Sequence, residues 1–347
     1  MNGLPTVDTA YLLNLLTELL NTPSPTGFTH QAIALCERHL SPHLKVTHTR
    51  KGALVAEYPG EKRDSPRALT AHVDTLGAMV KEIKANGRLK MTKVGNYAWN
   101  TVEGEGCVVF TNNGGIFRGS ILLTEASSHV YGTQVNETRR DDESMEVRLD
   151  ALTTSASETR SLGISVGDYI SFDPRVESNN NFIRSRHLDD KACVACIIAA
   201  VKSLLDASQT PNQTTYLHIS NYEEVGHGAS AGIPPEVTEL VCVDMAAIGE
   251  GQTSDEFHPS ICMKDSGGPY HYELSQRLRQ LADEYQISHK VDIYPHYGSD
   301  GGAFWRAGGD VAVALIGPGV DASHSYERTH LEALVGTTQW LMAYLLH

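Results

Sequence analysis

Alternation of strand-like apolar runs with helix-like runs, at both ends of the chain, is what most narrows its fold. Leu12, Leu13, Leu16, Leu19 and Leu20 repeat at helical spacing behind Asp8 or Thr9 as a cap. Pro23, Pro25 and Gly27 end that helix, and residues 31–40 read as a second one. Strands are expected at 44–49, 53–58 and 68–71, the last running straight into His72. After Arg186 the alternation resumes: a helix over 191–206, strands at 215–220 and 240–243, a helix over 272–285, a strand at 311–316 and a helix over 331–346. Units of this kind imply an α/β fold with a parallel or mixed sheet flanked by helices. In such sheets functional groups collect beyond the carboxyl ends of the strands.

Between these parts the texture changes. Short β-leaning pieces at 107–111, 120–124, 146–149 and 169–172 are separated by glycine-rich turns and polar stretches. We therefore expect a main domain of 1–75 and 169–347 interrupted by a small all-β module over 76–168. Two domains also suit a length of 347 residues, which exceeds the usual span of one core.

Bulk properties exclude several classes. A net charge of -14 argues against nucleic acid and against an anionic membrane. No apolar run approaches the ~20 residues needed to span a bilayer. The first residues show no basic segment followed by an apolar stretch, so the expected location is cytoplasmic. Six cysteines in this length do not make a disulfide scaffold. Cys193 and Cys196 lie in a run of small apolar residues, and buried helix is the better reading of that pair.

Histidines and acids recur in short segments: His72-Val73-Asp74, Asp189-Asp190, Glu223-Glu224, Asp244, and His324. Alone, each is ordinarily a polar corner or a helix N-cap. Together, most of them directly follow apolar strands, on the side of the sheet where sites form. Nitrogen and carboxylate oxygen donors without thiolate suit zinc, manganese or cobalt. Two histidines and three carboxylates exceed the needs of one catalytic ion and fit two ions ~3.5–4 Å apart sharing a carboxylate. A further carboxylate beside the ions can carry a proton from water to a leaving amine. One of Glu223 and Glu224 is free for that task if the pair is extended, because neighbours then point opposite ways. Asp74, two residues beyond His72, is expected to orient its imidazole. His218 lies inside a strand and reads as a core histidine. His227 follows the glutamates closely enough to reach the pocket and touch substrate, and Asp300, in a glycine-rich loop, is read as shaping the site and not as a metal ligand.

These phrases resemble the M42 metallopeptidases, the glutamyl- and deblocking-aminopeptidase group of the dinuclear aminopeptidase clan. The matching stretches are Ala71 to Gly77, Arg186 to Lys191, Glu223-Glu224-Val225-Gly226, Val243-Asp244, Gly298-Ser299-Asp300 and His324-Ser325-Tyr326-Glu327, in the family's order. The resemblance implies that His72 and Asp244 hold one divalent ion, Glu224 and His324 the other, and that Asp189 bridges them. It makes Glu223 the general base and then the acid, and it implies a cis peptide bond after Asp189. Asp74, from its spacing to His72, is counted with Glu223 as catalytic, and Asp190 with the residues that touch substrate or stand behind the ligands. It also implies a dimerisation and substrate-access role for the inserted module, short peptides as substrates, and homo-oligomers up to twelve-subunit hollow tetrahedra. Three departures bear on substrate recognition: Gly319 to Ser323 replaces an arginine and tyrosine, Ser299-Asp300-Gly301 replaces Thr-Asp-Ala, and Lys191 stands where arginine is usual. Ser185 to Lys191, with Glu327 to His330, resembles a sub-branch tied to a capped-dipeptide osmolyte.

Three rivals compete with the aminopeptidase reading. An amidase or deacylase acting on a blocked dipeptide would use the same centre. A serine hydrolase is suggested by Gly228-Ala229-Ser230-Ala231-Gly232, although the strand before it ends too early for a nucleophile elbow. A binding scaffold without activity conflicts with the retention of every ligand and of the base.

Overall fold

The computed structural model describes residues 3–347. They fall into two compact units, one built from residues up to Asp74 together with Val176–His347, the other from Thr75–Arg175.

The first unit is organised by a ten-stranded mixed sheet. Its middle is four parallel strands side by side: Gln213–Ser220, Lys62–His72, Glu239–Val243 and Ala312–Val320. Leu54–Tyr58 and Lys45–His48 extend one side antiparallel, and Pro259–Asp265 extends the other. Glu239–Val243 and Ala312–Val320 read as near-continuous apolar runs because both faces are covered. Leu69, Ala71, Leu217, Ile219, Val241, Val243, Ala314 and Ile316 share one buried cluster with the apolar faces of the helices. Thr9–Asn21 starts at Asp8, whose side chain accepts the Tyr11 N–H. Leu188–Asp206 carries Cys193 and Cys196 fully buried, and it packs against Leu331–Leu346.

Parallel pairing aligns the carboxyl ends of neighbouring strands. Ser220 sits opposite His72 in register, and Val243 opposite Ile316. Whatever follows these strands is therefore delivered to one edge of the sheet.

The second unit is a closed six-stranded antiparallel barrel, ordered Gly77–Ile83, Leu89–Val94, Met145–Leu149, Ile116–Leu123, Gly106–Phe110, Tyr169–Phe172. Closure removes the free strand edges. Val80, Met91, Val109, Ile121, Val147 and Ile170 alternate inward to fill it. Tyr169–Phe172 closes the ring by pairing with both Gly77–Ile83 and Gly106–Phe110, so this unit runs past the expected limit of 168. No helix among the described residues is long and apolar enough to cross a membrane.

Candidate metal centre

His72 is the last residue of its strand, Glu223 and Glu224 follow Ser220 by a short connection, Asp244 directly follows Val243, and His324 lies in the loop after Val320. Asp189 and Asp190 open the helix Leu188–Asp206 with non-helical dihedrals, and the peptide bond between them is cis.

Asp189 stands at the centre of the arrangement. One of its oxygens lies 3.2 Å from His72 Nε2 and the other 3.3 Å from His324 Nε2. His324 Nε2 is also 3.5 Å from Glu224, and His72 Nε2 is 3.7 Å from Glu223. Donor atoms of His72, Asp190 and Asp244 lie within 4.8 Å of one another, as do those of Asp189, Glu224 and His324. Two donor sets thus adjoin, with Asp189 facing both imidazoles.

The cluster is rich in buried negative charge. Burial, with the neighbouring acids, pushes Glu224 up to about 8 and Asp244 up to about 7. Glu223 is raised well above the carboxylate range, by burial first and then by Asp244, Asp300 and Glu224. Burial also opposes ionisation of Asp189, but the hydrogen bonds from His324 and His72 outweigh it and hold that carboxyl low. Asp190 Oδ1 and Glu224 Oε1 are buried with no hydrogen-bond partner among the described residues. Mutually repelling carboxylates, imidazole nitrogens and orphaned oxygens are what divalent cations of the zinc type would satisfy. The residues present fit such ions.

Groups around the donors fix their geometry. His72 Nδ1 meets the backbone carbonyl of Asp74 at 2.9 Å, whereas the Asp74 carboxylate lies at 3.5 Å. The carboxylate that sequence spacing assigned to the imidazole has closer partners as well. It accepts Thr26 Oγ1 at 2.7 Å and the N–H groups of Glu223 and Glu224, each at 3.2 Å. Asp74 thus holds the turn that carries both glutamates. That turn, Glu223–Val225, is a 3₁₀ turn and not the extended segment expected from sequence. The two carboxylates still diverge, each toward a different histidine. Asp190 Oδ2 accepts the His72 N–H at 3.2 Å.

Asp300 lies behind the centre, buried, accepting the Ala229 N–H at 2.7 Å and Thr70 Oγ1 at 3.3 Å. His227 is exposed and stacked on Tyr222, and its carbonyl accepts Lys51 Nζ. Ser230 is in a loop and donates to the His227 carbonyl at 2.7 Å, so no elbow forms there. Thr26 and Tyr297, whose hydroxyl donates to Met245 O at 2.7 Å beside Asp244, carried no signal in the sequence beyond their loops.

His218 is a core residue, fully buried, with Nδ1 2.9 Å from Thr70 Oγ1. Burial first, and the charge of Lys51 second, depress it to about 4. A folded-state value below the unfolded ~6.5 means that the unfolded chain binds the proton more tightly. Stability from this residue is intact above about pH 6.5 and falls by about 3 kcal/mol as pH drops toward 4. Urea unfolding of His218→Asn between pH 7 and 4 is expected to show a shallower acid loss than wild type; equal slopes would refute the assignment.

Comparison with known proteins places the chain in a family. The family model for M42 glutamyl aminopeptidase matches residues 52–339. YhfE of Bacillus subtilis (strain 168), provisionally named an aminopeptidase, is 47% identical over 335 residues, covering 96% of each chain. The TET aminopeptidase of Thaumarchaeota archaeon SCGC AB-539-E09 superposes with a TM-score of 0.88 at 18% identity, over 97% of each chain. The TET1 peptidase of Pyrococcus horikoshii, described as able to assemble into a tetrahedron or a large octahedral shell, superposes at 0.86 with 21% identity, over 97% of this chain and 99% of its own. A sheet edge at which two candidate sets of metal donors adjoin, and a family match across most of the sequence, lead to one conclusion: the chain belongs to the M42 glutamyl aminopeptidase family, a family of peptide hydrolases.

Proposed function

We propose that this protein is a two-metal aminopeptidase that removes N-terminal residues from short peptides, with Glu223 as its proton carrier. Asp189 supports the reading most directly, because its two oxygens face two different imidazoles, as a ligand shared between two ions would. In this reading His72 and Asp244 hold one ion, Glu224 and His324 the other, and Asp189 both. Zinc is the proposed metal, and cobalt or manganese would accept the same donors. When bound, such ions would acidify water and polarise the scissile carbonyl.

The remaining work falls to the protein. Glu223 borders the donors without belonging to either set. Its raised proton affinity suits a group that takes a proton from the attacking water and returns it to the departing amine. Asp74, gripping the Glu223 and Glu224 amides, keeps that carboxylate aimed at the reacting atoms. The TET relatives further support a homo-oligomer, which we propose is assembled from dimers, up to a dodecamer, through the barrel. Ile116, Leu152 and Val166 stand exposed on the barrel, apolar surface that a second copy would cover.

Release of free amino acid from a panel of unblocked and N-acylated dipeptides, with and without chelator, tests the reading. Turnover of unblocked peptides that chelator abolishes and added zinc restores is expected. Turnover confined to acylated substrates would instead make the protein an amidase.

A further inference from the structure

Glu327 is fully buried at the start of the strand Glu327–His330, which pairs with Phe182–Ser185 so that Ser185 lies opposite Glu327. That pairing sets its side chain between two loops distant in sequence. Oε2 accepts the Asp189 N–H at 3.0 Å, and Oε1 accepts the His324 N–H at 3.0 Å. One carboxylate therefore grips the backbone of the residue facing both imidazoles and the backbone of one of those histidines.

The His324 end of this grip is unusual backbone. His324 has φ 63° and Ala322 φ 57°, both left-handed. An L residue in that region costs about 1–2 kcal/mol, so something must hold it there. Asp321 and Arg328 close the loop at its base through backbone hydrogen bonds of 2.8 and 3.2 Å, and Glu327 receives the amide that the left-handed turn directs inward. The choice of side chain is informative as well. Glutamine offers one acceptor oxygen and a donor amide, and would set that donor against a backbone N–H. Only a carboxylate accepts at both ends.

We infer that Glu327 is a positioning residue for both halves of the metal centre, holding Asp189 and His324 in ligating geometry before any ion arrives. This rests on the two-metal reading above, and calorimetric titration of the metal-free full chain with zinc separates the two. Wild type is expected to take up two ions. Fewer than two would overturn the two-metal reading itself. Glu327→Gln is expected to bind both ions about 10- to 100-fold more weakly, with turnover recovered at raised zinc. Two ions bound at wild-type affinity would overturn the role of Glu327 and leave the metal reading standing. A merely structural role would lower the melting temperature of the metal-free protein and leave the affinities unmoved. Glu327→Asp keeps the charge but reaches only one amide, and is expected to fall between wild type and Glu327→Gln; if the glutamine variant does not fold, unchanged affinity in the aspartate variant overturns the proposal. In the wild-type metal-free chain the amides of Asp189 and His324 should exchange slowly with solvent deuterium, and fast exchange at either would dismiss the clamp.

Discussion

Replacement of Glu223 by glutamine is expected to lower kcat by about 100- to 10,000-fold while two ions remain bound and KM changes little. The substitution keeps the shape of the side chain and removes only its capacity to take up a proton. Glu223 Oε2 lies 3.7 Å from His72 Nε2, and its carboxylate is outside both donor sets. Its backbone N–H is held by Asp74 whatever the side chain carries, so the turn should survive the change. Metal content measured beside the kinetics discriminates the outcomes. Loss of an ion would reassign Glu223 as a ligand, and a fall of less than tenfold would move the proton transfer to another group.

Gly317→Ala is expected to destabilise the fold by about 3 kcal/mol, at the upper end of the usual cost of overpacking, and to deplete bound metal. A Cβ at this position would stand 1.9 Å from the Asp244 carbonyl oxygen and 2.7 Å from its carbonyl carbon. The obstacle is backbone on both sides, so no rotamer relieves it. Asp244 is also tied to the same strand by its N–H, which donates to Ile316 O at 3.0 Å. Separating the two chains would move the Asp244 side chain away from His72. Gly249→Ala, which would meet nothing within 4 Å, serves as the control. Urea midpoints with metal analysis decide the matter, and wild-type values for Gly317→Ala would show that the added Cβ is accommodated without parting the strands.

Gly317 also shows where reading the sequence stopped short. Gly317-Pro318-Gly319 looks like a turn and ends the expected strand at Ile316, yet the strand runs on to Val320. The close approach of the Asp244 backbone needs a residue without a side chain, and that requirement is tertiary. Lys62-Arg63-Asp64-Ser65 hides the start of the central strand for a different reason, since those residues are exposed and periodicity fails where there is no core to face. Helices declared themselves by spacing and caps, as at Asp8, and three strand ends were marked by His72, by Glu223-Glu224 and by Asp244. The partners of those residues were not legible. Asp74 meets the imidazole most closely with its carbonyl, its carboxylate standing at 3.5 Å, and Glu327 acquires its contacts from a pairing with Ser185 between two short strands that sequence did not reveal.

The place of the barrel has a consequence for biosynthesis. A growing polypeptide delivers Lys62–His72 first, yet the neighbours that flank that strand, Gln213–Ser220 and Glu239–Val243, come much later. The barrel strands all lie between Gly77 and Phe172, so this unit can close on contiguous chain while the rest is still being made. The His72 strand meanwhile waits with both edges unpaired, a segment that needs shielding on the ribosome. His324, the last donor in chain order, emerges after all the others. The donor cluster cannot assemble until the loop after Val320 has been made.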